Sequence, residues 1–133
     1  MRPDLVIRAL LQASTAVSAL VGARLARVRL PQGTTYPALV YQQVSGLPVP
    51  PINATAGGNV SRARVQVTAL SRSLDELDLL LEAVRVACSF KNGALGGVTC
   101  IAVIPDNTTP ALKDDEAQCF YQSIDFMISY YES

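Results

Sequence analysis

The side chains that could do chemistry are few, and their spacing does not suit catalysis. The chain of 133 residues contains no histidine, which is the commonest general base, the commonest metal ligand and the usual partner of a Ser or Cys nucleophile. Its cysteines, Cys88, Cys100 and Cys119, form no Cys-x-x-Cys pair, so a structural zinc site is not expected. Their odd number and their apolar neighbours indicate buried thiols in a reducing compartment.

Two further motifs are weak candidates for a ligand site. Asp114, Asp115 and Glu116 are consecutive, so their carboxylates point in different directions and lack the spacing of a calcium loop. We expect a solvated acidic run there. The glycines between Gly93 and Gly97 follow a predicted helix, whereas a phosphate-binding loop follows a strand and opens a helix. The residues therefore predict no catalytic, cofactor or metal site.

Composition excludes other classes of function. The length favours a single domain over residues 1–133 with a core of its own. Eleven basic and eleven acidic residues cancel, so no net field draws the protein to nucleic acid or to a membrane. The N-terminus carries an acid at once and no apolar run is long enough to span a bilayer, so neither a signal peptide nor a membrane segment is expected.

The longest predicted element is a helix over residues 73–90. Ser73 and Glu76 have the spacing of a capping box, in which each side chain bonds the other residue's amide. Apolar residues recur behind it at helical spacing, from Leu74 to Cys88, and predict a face that packs on a sheet. A second helix begins near Pro3, breaks at Ser14 and continues as a short turn over residues 16–21.

Alternating residues predict strands at 24–30, 38–45, 60–71 and 119–131. The nearly continuous apolar run at 98–104 predicts a further strand, covered on both faces or interior to the sheet. The element order is helix, strand, strand, strand, helix, strand, strand. It predicts an α+β fold, with a mostly antiparallel sheet of four to five strands and two main helices packed on one face. Pro105 is expected to end the fourth strand, and residues 46–59 to form a long hairpin loop.

Charge and loop length predict contacts between copies. Basic and acidic residues are segregated along the chain, which suits a head-to-tail contact, unless they are only scattered solubilising charges. The long loop is either an interaction arm or a flexible hairpin tip. The predicted interface residues are Arg24, Arg27, Arg29, Arg62 and Arg64 on the basic side, Asp114, Asp115 and Glu116 on the acidic side, and Pro48, Pro50, Pro51 and Asn53 in the loop.

A series of stretches resembles one known family. It begins with Ala-Val-Ser-Ala-Leu-Val-Gly-Ala-Arg-Leu at 16–25 and includes Tyr-Pro-Ala-Leu-Val-Tyr-Gln at 36–42. Further matching stretches are 28–33, 45–46, 63–67, the helix at 75–88, 95–98 and 123–126. In this order they resemble the small tail-completion, or tail-terminator, proteins of long-tailed bacteriophages and prophage-derived particles.

The resemblance implies a structural virion protein and not an enzyme. Such proteins form a ring, usually six-fold, that caps the head-proximal end of the tail tube, stops its polymerisation and joins the tail to the head. The implied partners are further copies of the chain, the tail tube protein and the head–tail connector protein. Genomic DNA would pass through the lumen without sequence-specific binding, and no cofactor or membrane is implied. The implied location is the neck of the virion, after assembly in the host cytoplasm.

Two alternatives come from other classes of protein. One is a small-molecule binding module or oligomeric adaptor of the same fold, with a pocket between helix and sheet. It predicts a persistent monomer or dimer that a ligand stabilises. The other is a hydrolase that uses one of the cysteines, against which the absence of histidine counts.

Overall fold

The computed structural model describes residues 2–31, 33, 35–48, 59–116 and 118–132. Its helices are α1 (Asp4–Ala13), α2 (Thr15–Val21) and α3 (Leu74–Cys88). Its strands are β1 (Leu25–Arg27), β2 (Ala38–Pro48), β3 (Asn59–Ser71), β4 (Gly93–Leu95), β5 (Val98–Thr108), β6 (Leu112–Asp114) and β7 (Cys119–Glu132).

The strands form one sheet in the order β1-β2-β3-β7-β5-β4, and β6 pairs with β7 off this path. Only β1 and β2 are parallel; every other pair is antiparallel. The predicted pairing of β2 with β3 and of β5 with β7 is confirmed. The prediction of four to five strands is wrong, because the described chain has seven. β4 and β6 are three residues long, too short to show alternation.

Several predicted boundaries of the strands are also wrong. Of the predicted strand at 24–30 only Leu25–Arg27 forms β1. β5 does not end at Pro105 but continues to Thr108, with a shift of register between Pro105 and Asn107. A bulge at that point accommodates a residue that has no amide proton to donate. The predicted loop at 46–59 is shorter than expected, since residues 46–48 and 59 belong to β2 and β3. Pro50, Pro51 and Asn53 lie outside the described residues.

The helices cover one face of the sheet, as predicted. Along β3, Ala63, Val65, Val67 and Ala69 are fully buried, whereas the residues between them are partly exposed. The buried residues of β3 join α1, α2, α3 and the inner side of β7 in a single core. Alternate residues of the central strands therefore lie on a second face of the sheet, which we call the helix-free face.

The predicted break in the first helix is confirmed. Ser14 Oγ accepts a hydrogen bond from the amide of Val17 at 3.3 Å, and Gly22 ends α2 with a φ of 58°. Among the described residues no single helix is long and apolar enough to cross a membrane. Helices α1 and α2 reach that length and hydropathy only together, across a bend of 86°.

The predicted capping box of α3 is wrong. Ser73 is the N-cap residue, but its side chain makes no capping bond. Instead the Ser71 hydroxyl donates to Glu76 Oε1 at 2.7 Å and accepts from the amide of Ser73 at 3.2 Å. Ser71 is buried at the end of β3, so its hydroxyl needs partners that water cannot supply. The Glu76 carboxylate therefore bonds the buried hydroxyl of Ser71, whereas the local motif predicted that it bonds the amide of Ser73.

Candidate interaction surfaces

Arg24, predicted to lie at an interface, holds two elements of its own chain together. Its Nε donates to the carbonyl of Pro37 at 2.8 Å, and its Nη2 donates to the carbonyl of Leu20 at 3.2 Å. The first acceptor lies just before β2 and the second in the last turn of α2, where a cation is favourable. These bonds fix the end of α2 against the start of β2.

Arg27 forms an ion pair that the sequence analysis missed. Asp4, in the first turn of α1, is fully buried, and its Oδ2 lies 3.0 Å from Arg27 Nε and 2.9 Å from Arg2 Nη2. A buried carboxylate requires such partners. The pair joins α1 to β1 across 23 residues of sequence, a separation at which no local pattern reveals a contact.

The helix-free face carries a second ion-pair group around Arg64. Its Nη1 contacts Asp106 Oδ2 directly and lies 3.5 Å from Asp125 Oδ2. Asp125 is buried, and within the part of the chain that the structure describes its Oδ1 has no hydrogen-bond partner. Two residues earlier on β3, Arg62 is exposed. Arg64 is thus occupied within its own chain, while Arg62 extends the basic character of this face to solvent.

The arginines predicted as one basic set are divided between two sides of the molecule. Arg27 is opposite Tyr41, a buried core residue, in the β1–β2 pair, whereas Arg64 is opposite Met127 in the β3–β7 pair. Arg27 therefore faces the helices and Arg64 the helix-free face. Arg29 is exposed beyond the end of β1.

The acidic run lies at the far end of the sheet from Arg62. Asp114 ends β6, and Asp115 and Glu116 are exposed in the turn before β7. Asp114 Oδ1 accepts from the amide of Glu116 at 3.1 Å. In the β3–β7 register Arg62 is opposite Ser129, nine residues along β7 from Phe120 beside β6. At about 3.3 Å per residue, roughly 30 Å separates the basic and acidic ends.

An apolar cleft on the helix-free face has a volume of about 350 Å³. It does not lie between helix and sheet, where the small-molecule alternative placed its pocket. Its lining consists of Val28, Arg29, Leu30, Tyr36, Val40, Gln42, Gln66, Thr68 and Leu70.

The potential nucleophiles are shielded. All three cysteines are buried and free of disulfides, as predicted. Burial raises the pKa of the Cys88 thiol to about 12, so the thiol stays protonated and unreactive at neutral pH. Within the described ranges no group of three His, Cys, Asp or Glu side chains could hold a metal ion.

A further surface was not recognised from the sequence. Leu79, Val86 and Phe90 are exposed on the outer side of α3 and just beyond it. We call these residues the outer stripe. Their spacing of seven and four residues was the available signal. It was overlooked because α3 carries apolar residues on most of its circumference, and the widest run was assigned to the core.

The fold is shared with solved proteins. One chain from a structure described as "Virion of native gene transfer agent (GTA) particle" superposes with a TM-score of 0.74 at 13% identity, over 98% of this chain and 95% of that one. A second solved chain superposes with a TM-score of 0.55 at 16% identity, over 100% of this chain and 98% of that one. At these identities the likeness shows the fold alone. No curated protein sequence matches significantly.

The family comparison goes further than the fold. Residues 6–131 match a family model for phage tail completion proteins, which defines the chain as a structural protein of a bacteriophage tail and of the virion. The chain belongs to the tail completion protein gp17 family. The resemblance seen in the sequence is confirmed.

Proposed function

We propose that this protein is the tail terminator. It assembles as a ring, six-fold by family resemblance, at the head-proximal end of the tail tube, where it stops polymerisation and joins the tail to the head–tail connector. The observation that carries the proposal is the family match over residues 6–131, which covers nearly the whole chain. The ring assembles in the host cytoplasm and occupies the neck of the virion.

The separation of charge supports a ring of identical copies. Arg62 is exposed near one end of β3, and the Asp114–Asp115–Glu116 turn is exposed at the other end of the sheet. A contact between unlike surfaces repeats around an axis and closes when its rotation allows. In this proposal Arg62 and the β2–β3 hairpin, including Pro48, Pro50, Pro51 and Asn53, contact a neighbouring subunit or the tube.

Both ends of the sheet carry a three-residue strand, β1 or β4, which covers only part of the longer strand beside it. Beyond β4 the outer edge of β5 is bonded at Val103 to the backbone of Phe90 and Lys91, whereas among the described residues no strand covers the outer edge of residues 42–48 in β2. We assign the more open β2 edge to the tail tube protein and the β5 edge to the side where polymerisation stops.

The neutral charge supports passage of DNA without retention. Basic and acidic residues balance at eleven each, and Arg24, Arg27 and Arg64 are engaged with carbonyls or carboxylates of their own chain. A dense row of unpaired arginines would bind phosphates strongly and slow the moving genome. DNA is therefore a transient, non-specific partner in the lumen.

The test is to delete the gene from the phage that carries it and supply variants in trans. Without the protein we expect tubes of uncontrolled length that do not join heads. The wild-type protein should restore one length, as measured in negative-stain images. Tails of normal length, joined to heads in the absence of the protein, would refute the proposal.

The predicted basic contact has its own variants. Replacing Arg62 and Arg64 with Glu should weaken ring assembly, but the Arg64 change also places a third acid beside Asp106 and Asp125. Arg62→Glu alone is therefore the cleaner test, with Arg8→Glu, an exposed arginine on α1, as its matched control. If the doubly substituted protein melts like wild type and still caps tails, the assignment of these arginines is wrong.

The cleft on the helix-free face keeps the small-molecule binding module as the alternative function. It predicts a protein that stays a monomer or dimer and whose melting temperature rises with a specific ligand.

A further inference from the structure

The outer stripe of α3 exposes three large apolar side chains. Leu79 is 63% exposed, Val86 62% and Phe90 75%, although the opposite side of the same helix is fully buried. Leu79 and Val86 are seven residues apart, so they lie on the same side of the helix about 10 Å from each other. Large apolar side chains aligned in this way mark a contact surface.

Phe90 is held in this exposed position by the backbone around it. Its φ is 59°, a left-handed conformation that a bulky residue rarely adopts. Its amide donates to the carbonyl of Val103 at 2.7 Å, and the amide of Val103 donates to the carbonyl of Lys91 at 3.1 Å. Hydrogen bonds therefore fix the backbone to β5 at Phe90 and at Lys91, and the aromatic side chain of Phe90 extends from this fixed backbone.

Acidic residues border the outer stripe. Asp75 lies one turn before Leu79 on the same side of the helix, Glu82 lies between Leu79 and Val86, and Asp78 lies further round on that flank. All three are exposed, and Glu82 is paired with Arg85. The outer side of α3 thus combines an apolar row with a negative border.

The helix-free face has the complementary composition. Ile104, 48% exposed, is opposite Met127, which is in turn opposite Arg64, so the three form a row across β5, β7 and β3. The next row along the sheet contains Ala102, Ser129 and Arg62 in the same order. Apolar side chains and exposed Arg62 therefore lie side by side on this face.

We propose that the outer side of α3 in one copy docks on the helix-free face of the next copy. The inference rests on the proposed ring and names the two surfaces that build it. In this contact the acids of α3 are the partners of Arg62, and the Asp114–Asp115–Glu116 turn lies outside it. Apolar residues meet apolar residues, and the acids of α3 meet exposed Arg62, since Arg64 is paired with Asp106 and Asp125 of its own chain. A helix of 15 residues is about 22 Å long, close to the roughly 19 Å width of strands β2, β3, β7 and β5 side by side.

The two surfaces lie on opposite sides of the molecule, since α3 packs with its buried side on the other face of the same sheet. The contact is therefore heterologous, and each copy offers one surface of each kind. A heterologous contact can be separated experimentally into its halves, because a copy with one damaged surface can still use the other.

The experiment uses two variants of the full-length chain. Leu79→Asp damages the outer stripe, and Arg62→Glu combined with Ile104→Asp damages the helix-free face. Leu74→Asp is the matched control, because Leu74 is also on α3 and is 48% exposed, but it lies about 140° round the helix from Leu79. Thermal melting confirms that each variant is folded, and analytical ultracentrifugation gives the mass.

We expect the wild type and Leu74→Asp to form the same oligomer. Each interface variant alone should be monomeric, because its substitution raises the dissociation constant of the contact between copies roughly tenfold or more. Mixing the two interface variants should give a one-to-one dimer and nothing larger, since one intact contact remains. A folded Leu79→Asp protein that assembles like wild type overturns the inference, as does a mixture that stays monomeric. A wild-type protein that never associates overturns it as well.

Failure of this inference is distinct from failure of the proposed function. If Leu79→Asp still forms rings that set tail length, the assignment of the two surfaces is wrong but the proposed terminator function is unaffected. Conversely, the mixed variants could form a one-to-one dimer while tail length does not depend on the protein. That result would support the helix-on-sheet contact and refute the terminator function.

Discussion

Replacing Arg27 with Met tests whether this arginine stabilises the subunit or serves only an interface. Arg27 Nε lies 3.0 Å from Oδ2 of Asp4, whose side chain is only 1% exposed. Met keeps most of the length and apolar volume of the arginine stem but removes the charge. The buried carboxylate then keeps Arg2 as its cationic partner, at 2.9 Å.

The size of the effect follows from the burial of the two partners. Opposite charges about 4 Å apart attract by about 4 kcal/mol at an effective dielectric constant near 20. The Arg27 side chain is 52% exposed, so water screens a large part of that attraction. We therefore expect a loss of about 2 kcal/mol in the free energy of unfolding. For a chain of 133 residues this lowers the melting temperature by about 7 °C.

The assay is urea unfolding of wild type, Arg27→Met, Asp4→Asn and the double variant at low protein concentration. The double-mutant cycle should give a coupling energy of about 2 kcal/mol between the two positions. Arg29→Met is the matched control, since Arg29 is exposed, and it should change stability by less than about 0.5 kcal/mol. A coupling energy near zero would show that the ion pair does not stabilise the fold and would refute the reasoning.

Three further predictions concern stability. Ser71→Ala should lower the free energy of unfolding in urea by about 1–2 kcal/mol, because it removes both hydrogen bonds of the buried hydroxyl at the start of α3. Ser73→Ala should lower it by clearly less. Equal losses would support the capping box instead. Gly96→Ala should destabilise the protein more than Gly97→Ala does. Both glycines have a positive φ, but only at Gly96 would an added Cβ meet a backbone oxygen of α1, at 2.6 Å. Equal melting temperatures of the two variants would contradict this close approach. Cys88 has its pKa raised by burial to about 12, so above about pH 9 the folded state binds a proton that the unfolded thiol has lost, and stability falls as pH rises, by about 1.4 kcal/mol per unit up to about pH 12. Between pH 8 and pH 10 the wild type should therefore lose about 1.4 kcal/mol more than Cys88→Ala, and an equal loss would count against a protonated buried thiol.

The elements that could be predicted are those whose pattern repeats over many residues. β3 alternates from Val60 to Leu70 with each second residue buried, and α3 repeats its buried positions over four turns. Each repeat adds independent evidence for the same period. β4 and β6 have three residues each, and they form only because β5 and β7 are already in place to pair with them.

The errors at the candidate sites have a common physical origin. The Ser73–Glu76 motif is local, but the Glu76 carboxylate bonds Ser71, whose burial depends on the whole sheet. Arg27 was grouped with the other arginines by its charge, while its partner lies on α1. Burial and pairing are set by tertiary contacts, so a residue type and its position in the chain do not determine whether its charge is available to another molecule.

The position of β7 has a consequence for how the molecule is made. β7 lies between β3 and β5, and among the described strands it is the only one that pairs with both the hairpin of β2 and β3 and the hairpin of β4 and β5. Without β7 the two hairpins cannot form one sheet, and each keeps an unpaired strand edge. A polypeptide that ends before residue 119 would therefore lack the continuous sheet on which the helices pack, and such a copy could not supply the subunit that a growing particle incorporates.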